Sequence, residues 1–497
     1  MTLPSPTPAS SPIVATRAST RLLRDPLRVI TKPFHPGEQV FPDGQSRVQL
    51  IVGRILDLAE AEVGSTLAST VQAFEGRHRN LNEILSRNFD LVVEHIERPG
   101  DLSPERRLLI GAYFTHEYSI EAAALNNPSI VPAPDQTGVG PGEQRFIMSL
   151  RAIGEGHLSS IGFRSGVISP TGDLTFDKTG PYPTIGARTD AIYDKDFFTK
   201  RLMELGAWNE IARVILDSLA DLFTIDEVEA AIDDFDRRGI DRSIAFETTR
   251  TLHWLASSNY TMAFEDETDV SERVIFPAGP TESRGMEDAR FVRFTHDDGS
   301  VRYYATYTAY DGFQILPQLI ETPDFLSFRI ATLGGIRATN KGMALFPRMI
   351  DGRYAALSRY DNQNNYVMFS DRVRFWDVAA QLQVPKRPWE LAQVGNCGSP
   401  LETEAGWLVI THGVGPMRQY SLGAILLQID DPQRVIGHLD EPLLVPSEDE
   451  RDGYVPNVVY SCGAMVHGDR LVLPYGFADE ATAVATIPLD LLLSHLT

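Results

Sequence analysis

Two acidic residues, Glu287 and Asp288, stand side by side in the stretch GMEDAR, immediately before the hydrophobic run FVRF. A carboxyl group in a loop at the edge of a strand can donate a proton if its pKa is raised, or bind sugar hydroxyls if it stays ionised. The ordinary structural alternative is a turn capped by Asp288, with Arg290 as its salt-bridge partner. The pair is therefore a candidate for acid catalysis or for sugar binding.

A second stretch, RAIGEGHLSSIGFRSGVI, also concentrates residues that can do chemistry. The Glu-x-His spacing of Glu155 and His157 is not that of a zinc protease helix, because the second histidine is missing and the period is that of a strand hairpin. We interpret GEGH as a hairpin turn, with Ser160 and Arg164 as candidate ligand contacts. A turn with a surface histidine is the alternative.

Several other chemistries are disfavoured by the sequence. Cys397 and Cys462 are far apart and have no His or Cys neighbours at metal-binding spacing, so neither a disulfide framework nor a zinc site is indicated. The glycine-rich GVGPGE lacks the Lys-Ser/Thr pair of a nucleotide-binding loop. We expect no metal and no organic cofactor, and the sparse cysteines suit a reducing cytoplasm.

The composition of the 497 residues excludes two further classes of partner. The net charge of −22 argues against a general nucleic-acid binder or a protein of anionic membrane surfaces, because both require a basic face. No run reaches the roughly 18 to 20 apolar residues that cross a bilayer. The Ser/Thr/Pro/Ala-rich start, MTLPSPTPASSPIVATRAST, lacks the basic and apolar regions of a secretion signal and predicts a disordered tail.

Helical and strand patterns divide the chain. Apolar residues recur at three- and four-residue spacing from about Ser46 to Ala124 and again from about Asp196 to Leu255, and Ser103 is a predicted N-cap. Elsewhere short Val-, Ile-, Tyr- and Phe-rich runs alternate with turn clusters such as HDDGS and HGDR. The predicted organisation is a disordered tail at 1–22, a helical extension at 23–124, and a β domain at 125–497 with a helical insertion at about 196–255.

The β domain is predicted to be an antiparallel all-β fold. Its hairpins repeat at similar spacing, which favours a propeller of four-stranded blades over a sandwich, although spacing alone does not count the blades. The loops at the strand edges of a propeller converge on its central channel, where a polar pocket can form. GMEDAR is predicted to be one of these loops.

Five segments in order resemble family 130 of the glycoside hydrolases, the β-mannoside phosphorylases and β-mannosidases that fold as five-bladed β-propellers. The resemblance extends from about Asn126 to the end of the chain, interrupted by the second helical block, and implies the same propeller here. The segments are PTESRGMEDARFVRF, NKGMALFPRMIDGRYAALSRY, VGNCGSPLETEAGWLVITHGV, YSLGAILLQIDDPQRVIGHLDEPLLVP and VPNVVYSCGAMVHGDRLVLPYGFAD.

The resemblance implies sugar-binding and catalytic roles. Asp288 matches the aspartate of the family's G-x-E-D-P-R motif, the proposed general acid, which in the phosphorylases is thought to protonate the glycosidic oxygen through a sugar hydroxyl. Ala289 replaces the usual proline, and Arg290 is kept. Asn127 in NNPS and Asp479 in YGFAD resemble residues that bind the mannose. Glu287, Arg290, Ser160 and Arg164 complete the predicted substrate contacts.

The resemblance also implies a phosphate site. A phosphate dianion needs several cationic or hydrogen-bond-donating groups in one pocket, and in a net-acidic protein such a cluster favours an anion site over solvated strand-edge charges. Two departures from the phosphorylase pattern, Gln393 in place of a lysine and Gly342 in place of a polar residue, weaken the match. The implied phosphate ligands are Arg151 in MSLRAI, Lys341 in NKGMALFP, Arg359 in ALSRY, His412 in THGV and Tyr420.

These residues predict an inverting β-mannoside phosphorylase whose substrates are a β-mannoside oligosaccharide and inorganic phosphate. One alternative is an inverting β-mannosidase that uses water, with Glu282, Glu287 or Glu155 as its base. The other is a carbohydrate-binding propeller without activity. The helical additions are expected to pack on the propeller rim or to form a homo-oligomer interface.

Overall fold

The computed structural model describes residues 15–37, 41, 44–237 and 242–496. The chain forms two compact units. The described residues of the first unit lie within 15–24, 123–179 and 185–496, and those of the second lie within 25–122 and 180–184.

The first described strand, β1 (Thr16–Leu22), pairs antiparallel with the late strand Ala481–Pro488. Its Arg17 donates a 3.2 Å hydrogen bond from Nε to the buried carboxylate of Glu450, which also accepts a bond from the hydroxyl of Tyr475. The prediction of a disordered tail at 1–22 is therefore wrong for residues 16–22, because strand pairing and this ion pair hold them. Residues 1–14 lie outside the described part of the chain.

The second unit is mainly helical, as predicted, and adds a strand pair that the helical pattern did not predict. Ser46 and Ser103 cap two of its helices, each accepting a hydrogen bond from a backbone N–H in the first turn, and the apolar faces form one core. The elements are β2 (Val29–Pro33), α1 (Arg47–Leu56), α2 (Glu60–Phe74), α3 (Leu81–Asp90), α4 (Pro104–Tyr113) and β3 (Thr115–Ser119), with β2 and β3 antiparallel.

The first unit continues with an antiparallel meander in which each strand pairs with the next. The connection between its second and third strands is the short turn Glu155–His157, which confirms the hairpin predicted for GEGH. The strands are β4 (Ala124–Pro132), β5 (Gln144–Ile153), β6 (Ser159–Ile168) and β7 (Leu174–Phe176).

A helical insertion follows, close to the predicted bounds. Asp194 and Thr224 cap two of its helices through their side-chain oxygens, and an aromatic and aliphatic core lies between them. In chain order the elements are β8 (Thr184–Ile185), β9 (Ala187–Asp190), β10 (Tyr193–Asp194), α5 (Lys195–Glu204), α6 (Glu210–Asp217), β11 (Leu222–Phe223), α7 (Ile225–Asp236), α8 (Arg242–Ala256), β12 (Tyr260–Ala263) and β13 (Arg273–Ile275).

A second meander carries the acidic pair at the start of its first strand. That strand joins the first meander in parallel, through Ser159 and Gly285, so the two meanders form one sheet. The strands are β14 (Gly285–Thr295), β15 (Val301–Tyr310), β16 (Ile315–Thr322) and β17 (Ser327–Thr332), and β17 also pairs with β12.

Three further antiparallel groups complete the first unit, which is predominantly β, as predicted. They are β18 (Ala344–Leu345), β19 (Tyr354–Ser358), β20 (Asn365–Ser370) and β21 (Ala379–Gln383); β22 (Gln393–Asn396), β23 (Leu401–Thr403), β24 (Gly406–Val414), β25 (Tyr420–Leu427) and β26 (Val435–His438); and β27 (Val459–Tyr460), β28 (Met465–His467), β29 (Arg470–Phe477) and β30 (Ala481–Pro488), before helix α9 (Leu489–His495).

Across the described ranges, no helix is both long enough and apolar enough to span a bilayer.

A buried carboxylate, Glu282, fixes the loop that leads into β14. It accepts hydrogen bonds from the hydroxyls of Tyr260 and Tyr307 and from the backbone N–H groups of Ala278 and Gly279. The two tyrosines lie on β12 and β15, so the carboxylate ties the loop to two strands of the sheet. Buried polar groups of this kind stabilise a fold only when every partner is present.

We expect Glu282→Ala to lower the free energy of unfolding by about 3 kcal/mol, because it leaves the Tyr260 and Tyr307 hydroxyls buried without an acceptor. Urea unfolding followed by circular dichroism measures the change. Glu267→Ala, at an exposed position in the preceding loop, is the matched control and should change stability little. Equal stability of the two variants would contradict the anchoring role of Glu282.

Candidate active site

Two strand pairs are interrupted at predicted site residues. The register of β4 and β5 shifts between Asn126 and Ser129, and that of β14 and β15 shifts between Glu287 and Arg290. Asn127 and Asp288 lie in these bulges with φ angles of +49° and +57°. A bulge redirects side chains, and left-handed backbone in non-glycine residues is concentrated at functional sites. Both bulges therefore turn a polar side chain towards the same point.

The two redirected side chains meet. Asn127 Nδ2 donates a 2.7 Å hydrogen bond to Asp288 Oδ1. Arg151 Nη1 lies 3.8 Å from the same oxygen, and Arg290 Nη2 lies 3.9 Å from Oδ2. Burial alone would raise the pKa of Asp288, but the charges of Arg151, Arg290 and Lys341 outweigh it and hold the pKa below its ordinary value. Asp288 is consequently ionised at neutral pH.

The neighbouring acid, Glu287, binds cations from two other segments. It accepts a 2.7 Å hydrogen bond from Arg151 Nη2, and its second oxygen pairs with the ammonium of Lys341. Burial would lower the pKa of Arg151, but Glu287, Asp288 and Asp479 together raise it. Arg151 thus bridges both acids of GMEDAR, so the two adjacent carboxylates share one cation.

Arg290 is buried beneath the acidic pair, with 1% of its surface exposed. Its guanidinium donates three hydrogen bonds of 2.8 Å, to the carbonyls of Asp288 and Cys397 and to the hydroxyl of Tyr460. Burial opposes its charge, but Tyr460, Cys462 and Asp288 raise its pKa. Arg290 therefore fixes the backbone that carries Asp288.

Arg359 and His412 form a second cluster of predicted residues. Arg359 Nη1 lies 3.4 Å from His412 Nε2. Burial and the charges of Arg359 and Arg290 hold the pKa of His412 well below its ordinary value, so the ring is neutral. Because Nε2 faces a donor, we assign the proton to Nδ1. Within the described part of the chain, Nε of Arg359 has no hydrogen-bond partner, whereas the His412 ring bonds to the backbone of Asn396.

Unpaired buried donors are costly, and proteins normally satisfy them with protein groups, water or a ligand. Here the unpaired donor is Arg359 Nε, and the His412 ring beside it is a second predicted phosphate-binding residue. A bound anion would accept a hydrogen bond from Arg359 Nε. The cluster is therefore arranged to receive an acceptor-rich, negatively charged group.

Tyrosine rings enclose this cluster. His412 stacks on Tyr420 with ring centroids 6.2 Å apart, and it meets Tyr460 edge-on at 5.0 Å. Tyr460 also accepts the hydrogen bond from Arg290, so it connects the anion cluster to the acidic pair. Sequence analysis missed Tyr460, because a tyrosine within the apolar run VPNVVYSCG is indistinguishable from a core aromatic residue.

Two glycines leave room for Arg359. A Cβ atom built on Gly395 would lie 2.6 Å from Arg359 Cδ and 2.9 Å from His412 Cε1. Gly342 has a φ of +93°, and a Cβ there would lie 3.6 Å from Arg359 Nε. Gly342, which departs from the phosphorylase pattern, thus borders the predicted anion pocket without filling it.

Asp479 joins the site from the turn after β29. Its φ is +52°, and Asn126 Nδ2 lies 3.5 Å from its Oδ1. Burial raises the pKa of Asp479, and the charge of Arg151 only partly offsets this. Burial therefore favours the protonated form of Asp479, whereas the neighbouring cations keep Asp288 ionised.

The structure does not bring Ser160 and Arg164 to this site. β5 and β6 pair Arg151 with Ile161, so Ser160 and Arg164, which pair with Ala152 and Met148, point to the opposite face of the sheet. Both are buried there. This register gives no support to their prediction as substrate contacts, because adjacent strand residues face opposite ways.

The carboxylates considered as bases for water also differ in placement. Glu282 is saturated with hydrogen bonds, and burial raises its pKa. Glu287 is occupied by Arg151 and Lys341. Glu155 lies at the exposed hairpin turn. None of the three is a buried carboxylate next to Asp288 that is placed to hold a water molecule.

The structure offers no metal centre within the residues it describes: they contain no group of three or more His, Cys, Asp or Glu side chains that could hold an ion. Cys397 and Cys462 are buried thiols, and burial raises the pKa of Cys397 to about 12.

Comparison with known proteins finds a family model and several phosphorylases that are similar to this chain. The family model described as beta-1,4-mannooligosaccharide phosphorylase matches residues 251–497, which contain Asp288, Lys341, Arg359, His412 and Asp479. A 1,2-beta-oligomannan phosphorylase from Thermoanaerobacter sp. is 36% identical over 213 residues, 41% of this chain and 69% of that protein. A beta-1,2-mannobiose phosphorylase from the same source is 34% identical over 221 residues, 42% and 68% respectively.

A solved structure is also similar. The beta-1,2-mannobiose phosphorylase from Listeria innocua, in complex with beta-1,2-mannobiose, is 22% identical with a TM-score of 0.45, over 76% of this chain and 93% of that one.

We expect Gly395→Ala to weaken the binding of inorganic phosphate about tenfold, because the added methyl group would displace Arg359 from its place beside His412. Isothermal titration calorimetry with phosphate measures the effect. Gly162→Ala is the control, since its Cβ would meet only Ala152 at an ordinary 3.9 Å. Unchanged phosphate affinity in Gly395→Ala would show that Arg359 does not bind the anion.

Proposed function

Because the chain belongs to family 130 of the glycoside hydrolases, and is an enzyme of that family, we propose that it is an inverting β-mannoside phosphorylase. It would cleave a β-mannosidic bond with inorganic phosphate to give mannose 1-phosphate and a shortened sugar. The observation that carries this proposal is the unpartnered buried donor Arg359 Nε, which lies beside the neutral His412 ring and next to the site of Asp288.

Each group of site residues would have a different role in the reaction. A phosphate oxygen held by Arg359, His412 and Lys341 would attack the anomeric carbon while the bond from that carbon to the glycosidic oxygen breaks. Asp288 would supply the proton to the departing oxygen, through a sugar hydroxyl. Asn127 and Asp479 would orient the mannose. Attack from the side opposite the leaving group inverts the anomeric configuration.

Phosphate binding would also change the protonation state of Asp288. In the unliganded site, Lys341, Arg151 and Arg290 keep Asp288 ionised, and an ionised carboxylate cannot donate a proton. A phosphate dianion next to Lys341 would compensate the positive charge that lowers the pKa of Asp288. We infer that the carboxyl becomes protonated when the nucleophile binds.

We also propose that the first unit is a five-bladed propeller. Across the described residues, the site draws on five successive antiparallel strand groups, as expected if each is a blade around one channel. The contributions in chain order are Asn127 and Arg151; Glu287, Asp288 and Arg290; Lys341 and Arg359, from the loops flanking β18 and β19; His412 and Tyr420; and Tyr460 and Asp479.

Hydrolysis has weaker support. An inverting hydrolase needs a carboxylate base that holds a water molecule. Glu282 and Glu287 are committed to other partners, and Glu155 is exposed at a turn. A binding protein without activity would not require buried cationic donors opposite the sugar site.

The test is the release of mannose 1-phosphate from β-1,2- and β-1,4-mannobiose and from mannosyl-glucose, with and without phosphate. We expect sugar phosphate only when phosphate is present. Free mannose formed regardless of phosphate would identify a hydrolase, and no product from any of the mannosides would favour a binding protein.

We expect Asp288→Asn to lower kcat at least about 100-fold, because the amide cannot donate a proton to the glycosidic oxygen. Steady-state assays compare it with Asp297→Asn, which changes an exposed aspartate in the turn after β14 and should retain full activity. Retention of most activity by Asp288→Asn, with the fold intact, would exclude this residue as the acid.

Phosphate binding should be accompanied by proton uptake at mildly acidic pH. The sign follows from the pKa of Asp288, which is low in the free site and rises when the anion offsets Lys341, so the complex holds more protons. Calorimetry in buffers of different ionisation enthalpy measures the uptake. The Asp288→Asn variant should lack this component, and equal uptake in both proteins would assign it to another group.

A further inference from the structure

Two exposed rings are stacked at the edge of the site. The His157 and Tyr454 rings have centroids 5.4 Å apart and planes inclined by 24°. Tyr454 is 62% exposed, and His157 is also exposed, with a φ of +60°. Neither ring belongs to the hydrophobic core, and the proposed reaction at the anomeric carbon uses neither.

Both rings are carried by segments that carry site residues. His157 is at the tip of the hairpin between β5 and β6, and three residues, 152–154, separate Arg151 from its turn, a rise of roughly 10 Å. The stacked pair therefore lies at the tip of the hairpin that carries Arg151.

The Tyr454 segment is fixed against the turn of Asp479. Val455 N donates a 2.9 Å hydrogen bond to the carbonyl of Ala478, the residue before Asp479. On its other side, Tyr420 N donates a 3.0 Å bond to the carbonyl of Asn457. Tyr454 thus protrudes from a loop that is held between two residues of the site.

An exposed aromatic ring on a segment that is hydrogen-bonded to two site segments is a candidate for contact with the ligand of that site. The occupant that suits it is a sugar ring, because the C–H face of a pyranose packs on aromatic rings while its hydroxyls remain available to polar groups. The rim also supplies charge, since Arg418 and Arg151 both lower the pKa of Asp479 against its burial. Because the two rings are stacked, the outer face of Tyr454 remains open, and an open aromatic face with polar groups beside it matches an oligosaccharide.

We propose that the outer face of Tyr454, with His157 packed behind it, forms a stacking platform for a sugar unit of the oligosaccharide beyond the mannose that is transferred. This inference rests on the proposed function for its mannoside, and it goes further by assigning an outer binding position. The platform binds by contact with the ring face and takes no part in proton transfer.

The test measures binding without turnover. Each protein carries Asp288→Asn to suppress cleavage, and calorimetry in phosphate-free buffer gives Kd for mannose and for mannobiose, mannotriose and mannotetraose of the β-1,2 and β-1,4 series. We expect affinity to rise with chain length in the parent. Tyr454→Ala should lose about fivefold in affinity for the longer sugars, with mannose binding unchanged.

Matched variants separate stacking from other effects. Tyr454→Phe keeps the ring and should bind as the parent does, and His157→Ala should lose part of the affinity for the longer sugars. Phe246→Ala removes an exposed ring from helix α8 and should have no effect. Thermal unfolding of each variant checks that the fold is intact.

Three outcomes overturn the platform: affinity in the parent that does not depend on chain length, equal affinities of Tyr454→Ala and the parent, or an equal loss for mannose itself. If the parent binds no mannoside of any length, the proposed function fails and the platform with it.

Discussion

The three hydrogen bonds of the Arg290 guanidinium are the interaction on which the site depends. Each is 2.8 Å long, and together they join β14 to the segment after β22 and to β27. A fully buried cation is costly unless its donors are satisfied. Because the partners are two main-chain carbonyls and a phenol, the charge is accommodated only when three separate strand groups are in place. The position of Asp288 is thus fixed by the fold as a whole.

Around this arginine the site keeps its charges nearly balanced. Arg151 and Lys341 are paired with Glu287, while Asp288 is surrounded by cations and accepts a hydrogen bond from Asn127. The second cluster is different, because Arg359 is next to a neutral histidine and keeps an unpaired Nε. In a protein of net charge −22, that local excess of positive charge is where an anion gains the most.

Much of this arrangement could be predicted from sequence, because motifs in order point to the family and hydrophobic periodicity separates helices from strands. The two bulges could not be predicted, since a register shift depends on how two distant strands pair. The misplacement of Ser160 and Arg164 has the same origin: the strand was identified, but not which face its alternate residues take. β1 was missed because TRASTRL is polar, and its pairing with β30 and the Arg17–Glu450 ion pair arise only in the folded chain.

The left-handed backbone at Asn127, Asp288 and Asp479 limits which residue types can occupy these three positions. Asn and Asp tolerate this conformation better than other residues with side chains, and they have nearly the same shape. Exchanging one for the other alters charge and protonation while the main chain keeps its path. A β-branched residue at the same position would strain that path. At Asp288 such an exchange removes the proposed acid while the shape of the pocket is kept, so chemistry and shape can be separated at these positions.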